Sequence, residues 1–202
     1  ARRLGSYVKG PVLVDIGAGN PDMATAFVEV APVLEKAYAT DIHPSTKAST
    51  NPKVQFVPQP TPTMTSFARN SAQTVILSFT LHHLDTRTRD GLLAHMAEIV
   101  PPGGRVIVIE DSFPERPGST RKYHPLMREF LSFSREEKFQ LLALIDWMGN
   151  RITRNRPFIP LIFNYQSIEE WQEIFKRFGF KTIHTEFVGF RERPSDLFPP
   201  KG

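Results

Sequence analysis

The sequence predicts an α/β fold: a doubly wound sheet, mostly parallel, with helices on both faces and a helical insertion after the fifth strand. Three observations carry that prediction. Short apolar runs alternate with amphipathic stretches through the first half of the chain, the order that parallel βαβ units require. The first run leads into Asp15-Ile16-Gly17-Ala18-Gly19, a strand that turns through glycines toward a helix. The amphipathic stretch after the fourth run stops at Pro101-Pro102-Gly103-Gly104, which feeds directly into a fifth run.

Taken in order, Val12-Leu13-Val14-Asp15-Ile16 reads as a buried strand. Asn20 then offers a capping oxygen, Pro21 suits the first helical position and Asp22 suits the positive helix end. Met23, Phe27 and Val30 give that helix its apolar face. Strands follow at 37–41, at 54–57 (stopped by Pro58, Pro60 and Pro62) and at 74–79. A helix over 86–100, capped by Asp85, turns Leu92, Leu93, Met96, Ile99 and Val100 inward, and a fifth strand runs 105–110. After a Pro/Gly/Ser loop the pattern changes to a helical segment, 125–149, crowded with large apolar side chains. Ser167 and Glu170 form a capping box for a last helix that ends at Gly179, and residues 180–190 read as a sixth strand. The whole chain is expected to be one domain: a cofactor core at 1–111, a helical substrate-side insertion at 112–166, and a last helix with a terminal strand at 167–202.

Composition narrows the function classes. At 202 residues, 40% hydrophobic and 23% charged, the chain is an ordinary globular sequence, long enough to bury a core without staples. It has no Cys, which removes disulfides, cysteine-ligated metals and thiolate nucleophiles. No apolar run approaches the ~18 residues a membrane span needs, so a cytoplasmic protein is expected. Lys and Arg number 25 against 21 Asp and Glu, and the excess lies entirely beyond residue 118. The sequence pI of about 9.5 keeps nucleic acid or acidic lipid among the classes to consider. The chain opens Ala1-Arg2-Arg3 without a Met and reaches its first strand at residue 12, which reads as a core clipped close to that strand.

The glycines of Gly17-Ala18-Gly19 allow close backbone approach to a ligand, and the following helix end should present amides to an anionic group. The dinucleotide fingerprint G-x-G-x-x-G fails, because its third glycine would be Asp22. Asp41 closes the second strand, where an acid can accept from ribose hydroxyls, and Ile42 follows in position to lie against an adenine face. The fourth strand runs into Leu81-His82-His83-Leu84-Asp85, and the fifth into Glu110-Asp111.

With these features in this order the chain resembles the class I S-adenosylmethionine-dependent methyltransferases, in particular the small-molecule (methyltransferase type 11-like) group. The resemblance covers residues 11–111 closely, and it implies a Rossmann-like sheet and S-adenosylmethionine as cofactor, with S-adenosylhomocysteine as product. It extends more loosely through Ile168-Glu169-Glu170-Trp171 and Phe178-Gly179-Phe180. Carried onto this sequence, it assigns Asp15, Gly17, Ala18 and Gly19 to the methionine side of the cofactor. Asp41 falls to the ribose, Ile42 to the adenine, and Ser78 with Phe79 to the floor beneath the methionine. His82 and His83 would face the transferable methyl, and Asp111 resembles the acid that partners such a histidine. The pattern departs from the family at Pro21, in place of a third glycine, and at Gln59-Pro60-Thr61, where an acid would bind the adenine amino group.

The implied reaction is methyl transfer to oxygen or nitrogen of a small, partly apolar molecule. His82 or His83 would take a proton from a hydroxyl acceptor. Lack of Cys excludes arsenic and cytosine-C5 methylation, and Ser78-Phe79-Thr80-Leu81 replaces the motif of adenine-N6 enzymes. A nucleic-acid substrate is therefore the weaker enzymatic alternative, and a non-catalytic binding or assembly domain is the alternative from another class. The apolar excess at 125–149 would suit a hydrophobic pocket, a homodimer interface or a membrane surface. Arg151, Arg154 and Arg156 would suit an acidic group on the substrate. Adjacent loop histidines rarely converge on one ion, so no metal site is expected from His82, His83 and Asp85.

Overall fold

Five parallel strands form one sheet in the order β3-β2-β1-β4-β5, as a computed structural model of the chain shows. They are β1 (Val12–Ile16), β2 (Lys36–Asp41), β3 (Val54–Pro58), β4 (Thr74–Ser78) and β5 (Arg105–Ile109). The structure describes residues 1–188 except Ser119, Lys122 and Arg154. Strand order reverses between β1 and β4, and the crevice at the carboxyl ends of such a pair is where open α/β sheets bind ligands.

Alternation along the strands sorts the core. Leu13 and Ile76 point to one face and pack with Ala24, Phe27 and Val28 of α1 (Asp22–Val30). Val14, Ile16, Val75 and Leu77 point to the other, against Leu92, Leu93, Met96 and Ile99 of α2 (Thr86–Ile99). Trp171 and Ile174 of α5 (Ile168–Arg177) join that second face. The sheet is therefore wound on both sides, as the sequence predicts.

Three local expectations change. Asn20 does not cap α1. Its carbonyl oxygen instead accepts from Ser45 Oγ, Thr46 N and Thr46 Oγ1, so the helix starts at Asp22 with Pro21 in the capping position and no side-chain cap. The segment 125–149 is two helices, α3 (Pro125–Ser132) and α4 (Arg135–Trp147). Phe133 turns extended between them, and Ser134 starts α4 with a full capping box. Residues 180–188 pair with no described strand, so the expected sixth strand is absent there, and Phe190 with the rest of the tail lies outside the described residues. The capping roles expected of Asp85 and Ser167 hold: Asp85 accepts from Thr88 N and Ser167 from Glu170 N.

The insertion builds its own core from Phe113, Met127, Phe130, Leu131, Leu142 and Tyr165. It is tied back to the sheet at the carboxyl end of β4. Asn164 N donates to His82 O (3.0 Å), and Asn164 Nδ2 donates to Leu84 O (2.9 Å). No helix among the described residues is long and apolar enough to cross a membrane.

Candidate active site

The turn after β1 is stitched to the end of β2. Gly17 N and Ala18 N both donate to Thr40 O, at 2.9 and 3.1 Å, and Gly19 N donates to Asp41 Oδ2 at 2.8 Å. Both glycines have positive φ, +69° at Gly17 and +62° at Gly19, which a side chain disfavours. A Cβ on Gly17 would also lie 2.4 Å from Thr80 Cγ2. These three turn amides thus face β2 rather than open space, which leaves the amides of the first turn of α1 as the ones the helix end could present. Asp41 Oδ1 accepts in addition from His43 N (2.8 Å). Each carboxylate oxygen keeps a second lone pair, and the group is held rigidly at the sheet edge.

Beside it, Ile42 and Phe79 expose 45% and 43% of their surface, an apolar shelf on either side of the switch point. Phe79 takes φ +53°, the left-handed region, which ends β4 one residue earlier than the sequence suggests. Ser78 is the last paired residue of β4, opposite Ile109. Asp15 lies inside the sheet, fully buried, and neither carboxylate oxygen has a hydrogen-bond partner among the described residues. Burial pushes its pKa up to about 8, opposed in part by the Ala24 amide and helped by the charge of Asp41. Gln59 is buried next to Asp41, donating through Nε2 to Thr61 O, which leaves its carbonyl oxygen as acceptor.

The histidine pair sits across the switch point in a short 3-10 turn, Leu81–His83. The acid paired with His82 is Glu110, the neighbour of the expected Asp111. Glu110 Oε2 pairs with His82 Nδ1 at 2.5 Å, while Oε1 accepts from Thr80 N (2.8 Å) and Leu81 N (2.6 Å). Strand parity explains the shift. Val106 and Val108 pack toward α2, and continuing that alternation past β5 puts residue 110 on the same side. His83 Nδ1 donates to Pro160 O (2.9 Å). The rings of His82 and His83 lie 4.1 Å apart, and Tyr165 stacks on His82 at 5.2 Å.

Asp146 of α4 completes the cluster, with Oδ1 3.8 Å from His82 Nε2 and 3.9 Å from His83 Nε2. These are ion-pair distances, too long for hydrogen bonds. Burial alone would lower the His82 pKa, but the carboxylates of Asp146 and Glu110 outweigh it and hold the ring at about 10. His83 moves the other way, lowered by burial and by the His82 charge. Glu110, Asp146 and Tyr165 escape the sequence reading. The parity of β5 signals Glu110, and the buried series Lys138, Leu142, Asp146, four residues apart, signals the inward face of α4.

Of the basic cluster, Arg151 is committed to the insertion's own backbone, donating to Arg156 O and Ile159 O. Arg156 Nη1 lies over the turn, 3.7 Å from where a Gly19 Cβ would stand, and Arg154 is outside the described residues. A separate groove of about 790 Å³ lies at the opposite sheet edge, between Arg69, Val100, Arg105 and Phe180. It meets the amino end of β5 and none of the site residues described above.

Known proteins agree with this architecture. The chain is 25% identical over 149 residues to the ubiquinone/menaquinone biosynthesis C-methyltransferase UbiE of Burkholderia vietnamiensis, covering 71% of this chain and 54% of that one. It therefore spans about half the length of the curated relatives it matches. Among solved structures, the YcgJ protein of Bacillus subtilis superposes with a TM-score of 0.58 at 17% identity, over 87% of this chain and 64% of that one. Human N-acetylserotonin methyltransferase in complex with SAM gives 0.57 at 18% identity, over 88% and 43%. Residues 2–185 match the family model described as a methyltransferase domain, and the chain accordingly belongs to the class I S-adenosylmethionine-dependent methyltransferase family.

Proposed function

We propose that this chain binds S-adenosylmethionine across the ends of β1, β2 and β4 and methylates an oxygen or nitrogen of a small, partly apolar molecule. The observation that carries this reading is the use made of the turn amides. Gly17, Ala18 and Gly19 all donate to β2, so a pyrophosphate would find none of these three donors free, whereas a cofactor without phosphates needs none of them. The residues present suit such a cofactor. Asp41 offers spare lone pairs to ribose hydroxyls, Ile42 and Phe79 offer apolar faces, and Gln59 keeps one acceptor beside them. Asp15, Gly17, Ala18, Gly19 and Ser78 are assigned to the methionine end by the family resemblance alone. When bound, the cofactor supplies a methyl group on a sulfonium, whose carbon–sulfur bond breaks with both electrons going to sulfur.

The chain's own contribution is alignment, exclusion of water and a place for the acceptor's proton. His83 donates through Nδ1 to Pro160 O, so its Nε2 carries a free lone pair, and this ring is the better exposed of the two. We assign it the proton of a hydroxyl acceptor, with His82 and Glu110 holding the turn behind it. Residues 112–166 serve as the substrate-side cover, since they supply Tyr165, Pro160 and Asp146 to the histidines. Among the described residues of the basic cluster, Arg156 lies over the turn and is the one offered to an acidic group on the acceptor.

Calorimetric titration tests the reading. S-adenosylmethionine should bind with one site, and NAD should not. Asp41→Asn should weaken binding by about 10–100-fold, the effect of ~1.5–3 kcal/mol for hydrogen bonds to a charged group. Absence of binding by the unaltered chain refutes the proposal. Turnover on a panel of phenols and amines, with the product's methyl assigned by NMR, then fixes the acceptor atom. Binding without turnover on any acceptor supports the non-catalytic alternative.

A further inference from the structure

We infer that His82, His83 and Asp146 form a binding site for a single zinc-class divalent cation. The juxtaposition runs against expectation from the sequence, because the third ligand is not the neighbouring Asp85 but a residue more than sixty positions along the chain. One ligand atom from each of the three lies within 4.8 Å of the others. Nitrogen and oxygen atoms bound at ~2.0–2.1 Å around a tetrahedral zinc stand about 3.3 Å apart, so the observed 3.8 and 3.9 Å need only a small closure.

Three further observations point to an ion. Both histidines commit Nδ1 elsewhere, His82 to Glu110 and His83 to Pro160 O. That fixes the ring orientation and turns both Nε2 atoms toward Asp146, the outer-sphere pattern that metal-bound histidines use. His82 Nε2 and Asp146 Oδ2 are buried with no hydrogen-bond partner, at 1% and 7% side-chain exposure. Among the described residues, buried polar atoms left unpaired are few, and these two belong to side chains whose ligand atoms lie within 4.8 Å of one another. Charge agrees as well: two buried carboxylates, Glu110 and Asp146, are balanced by a dication with both rings neutral. Asn150 Nδ2 steadies Asp146 by donating to Oδ1 (2.6 Å) from the π-helical turn Met148–Thr153 that follows α4. Such turns are frequent at functional sites. The set of two imidazoles and one carboxylate leaves a fourth position open, on the side where His83 is partly exposed.

A bound cation would occupy the His83 Nε2 lone pair that the proposed function gives to the acceptor's proton, so the two roles exclude each other on that atom, and the site is argued from side-chain geometry alone. Tag-free chain, stripped with EDTA, is titrated with Zn²⁺ by calorimetry and with Co²⁺ by visible absorption. The expected result is one equivalent bound at micromolar or tighter affinity, with a visible absorption band that appears in step with Co²⁺ binding and disappears when Zn²⁺ is added. Asp146→Asn and, independently, His83→Gln should each weaken binding by at least about 100-fold with the circular dichroism spectrum unchanged. His83→Gln is the safer variant for folding, because that ring is the less buried. No binding by the unaltered chain, or equal binding by folded His83→Gln, overturns the site. S-adenosylmethionine affinity measured in EDTA reports the cofactor reading separately, so either proposal can fail without the other.

Discussion

Replacing Asp15 by Asn should make the fold less sensitive to pH, and by an amount the structure sets. The carboxyl is fully buried, lacks hydrogen-bond partners on both oxygens, and has a pKa pushed up to about 8. In the unfolded chain it returns to 3.8. Between about pH 4 and pH 8 the folded chain therefore holds a proton that the unfolded chain releases, and stability falls as pH rises through that window. At ~1.4 kcal/mol per unit, the span from pH 5 to pH 8 corresponds to a ceiling of about 4 kcal/mol. Asn has nearly the same shape and no charge to bury, so the variant should lack this slope. Urea unfolding of both proteins at pH 5, 6, 7 and 8 measures it. The stability of Asp15→Asn relative to the unaltered chain should climb by about 2–4 kcal/mol over that range. A difference that stays flat, or that moves in favour of Asp15 as pH rises, would refute the argument.

Gly17→Ala should lower the melting temperature by about 5–10 °C, from left-handed strain and the close Thr80 contact together. Adding Thr80→Ser, which removes the Cγ2 atom at 2.4 Å, should recover part of that loss in the same thermal melts. Glu110→Gln should cost about 1.5–3 kcal/mol by urea unfolding, because a charged acceptor serves Thr80 N, Leu81 N and His82 Nδ1 at once. It should also lower the proton affinity of His82, since one of the two carboxylates that hold the ring protonated is removed, and ¹⁵N NMR of the imidazole across pH reads that fall directly.

The parts of this fold that local chemistry decides could be read from sequence. The apolar run of β1, the acid ending β2, the Asp85 cap and the Ser167–Glu170 box each depend on residues a few positions apart. Asn20 shows where that stops: a good capping residue is drawn away by Ser45 and Thr46, which only the folded chain brings near. Glu110 against Asp111 is a different failure. Both are acids after β5, and only the alternation of Val106 and Val108 distinguishes the one that reaches His82. Asp146 has no local signal of its role beyond its spacing from Lys138 and Leu142, because its partners lie on a turn that follows a distant strand. The break at Phe133 and Ser134 was hidden by continuous hydrophobicity, although the capping box Ser134–Glu137 is written plainly there.

Glu110 joins two regions that the sequence keeps far apart. One of its oxygens holds the backbone of Thr80, whose side chain rests against Gly17, and the other holds His82. A ligand that shifts the turn after β1 must therefore work against the same carboxylate that sets the imidazole's proton affinity. Thermodynamic reciprocity then requires that any change that occupancy of the β1–β2 end makes in the proton affinity of His82 be matched, by the same factor, in the effect of His82 protonation on ligand affinity. Titrating the imidazole with and without S-adenosylmethionine would measure that coupling as one number obtained from either side.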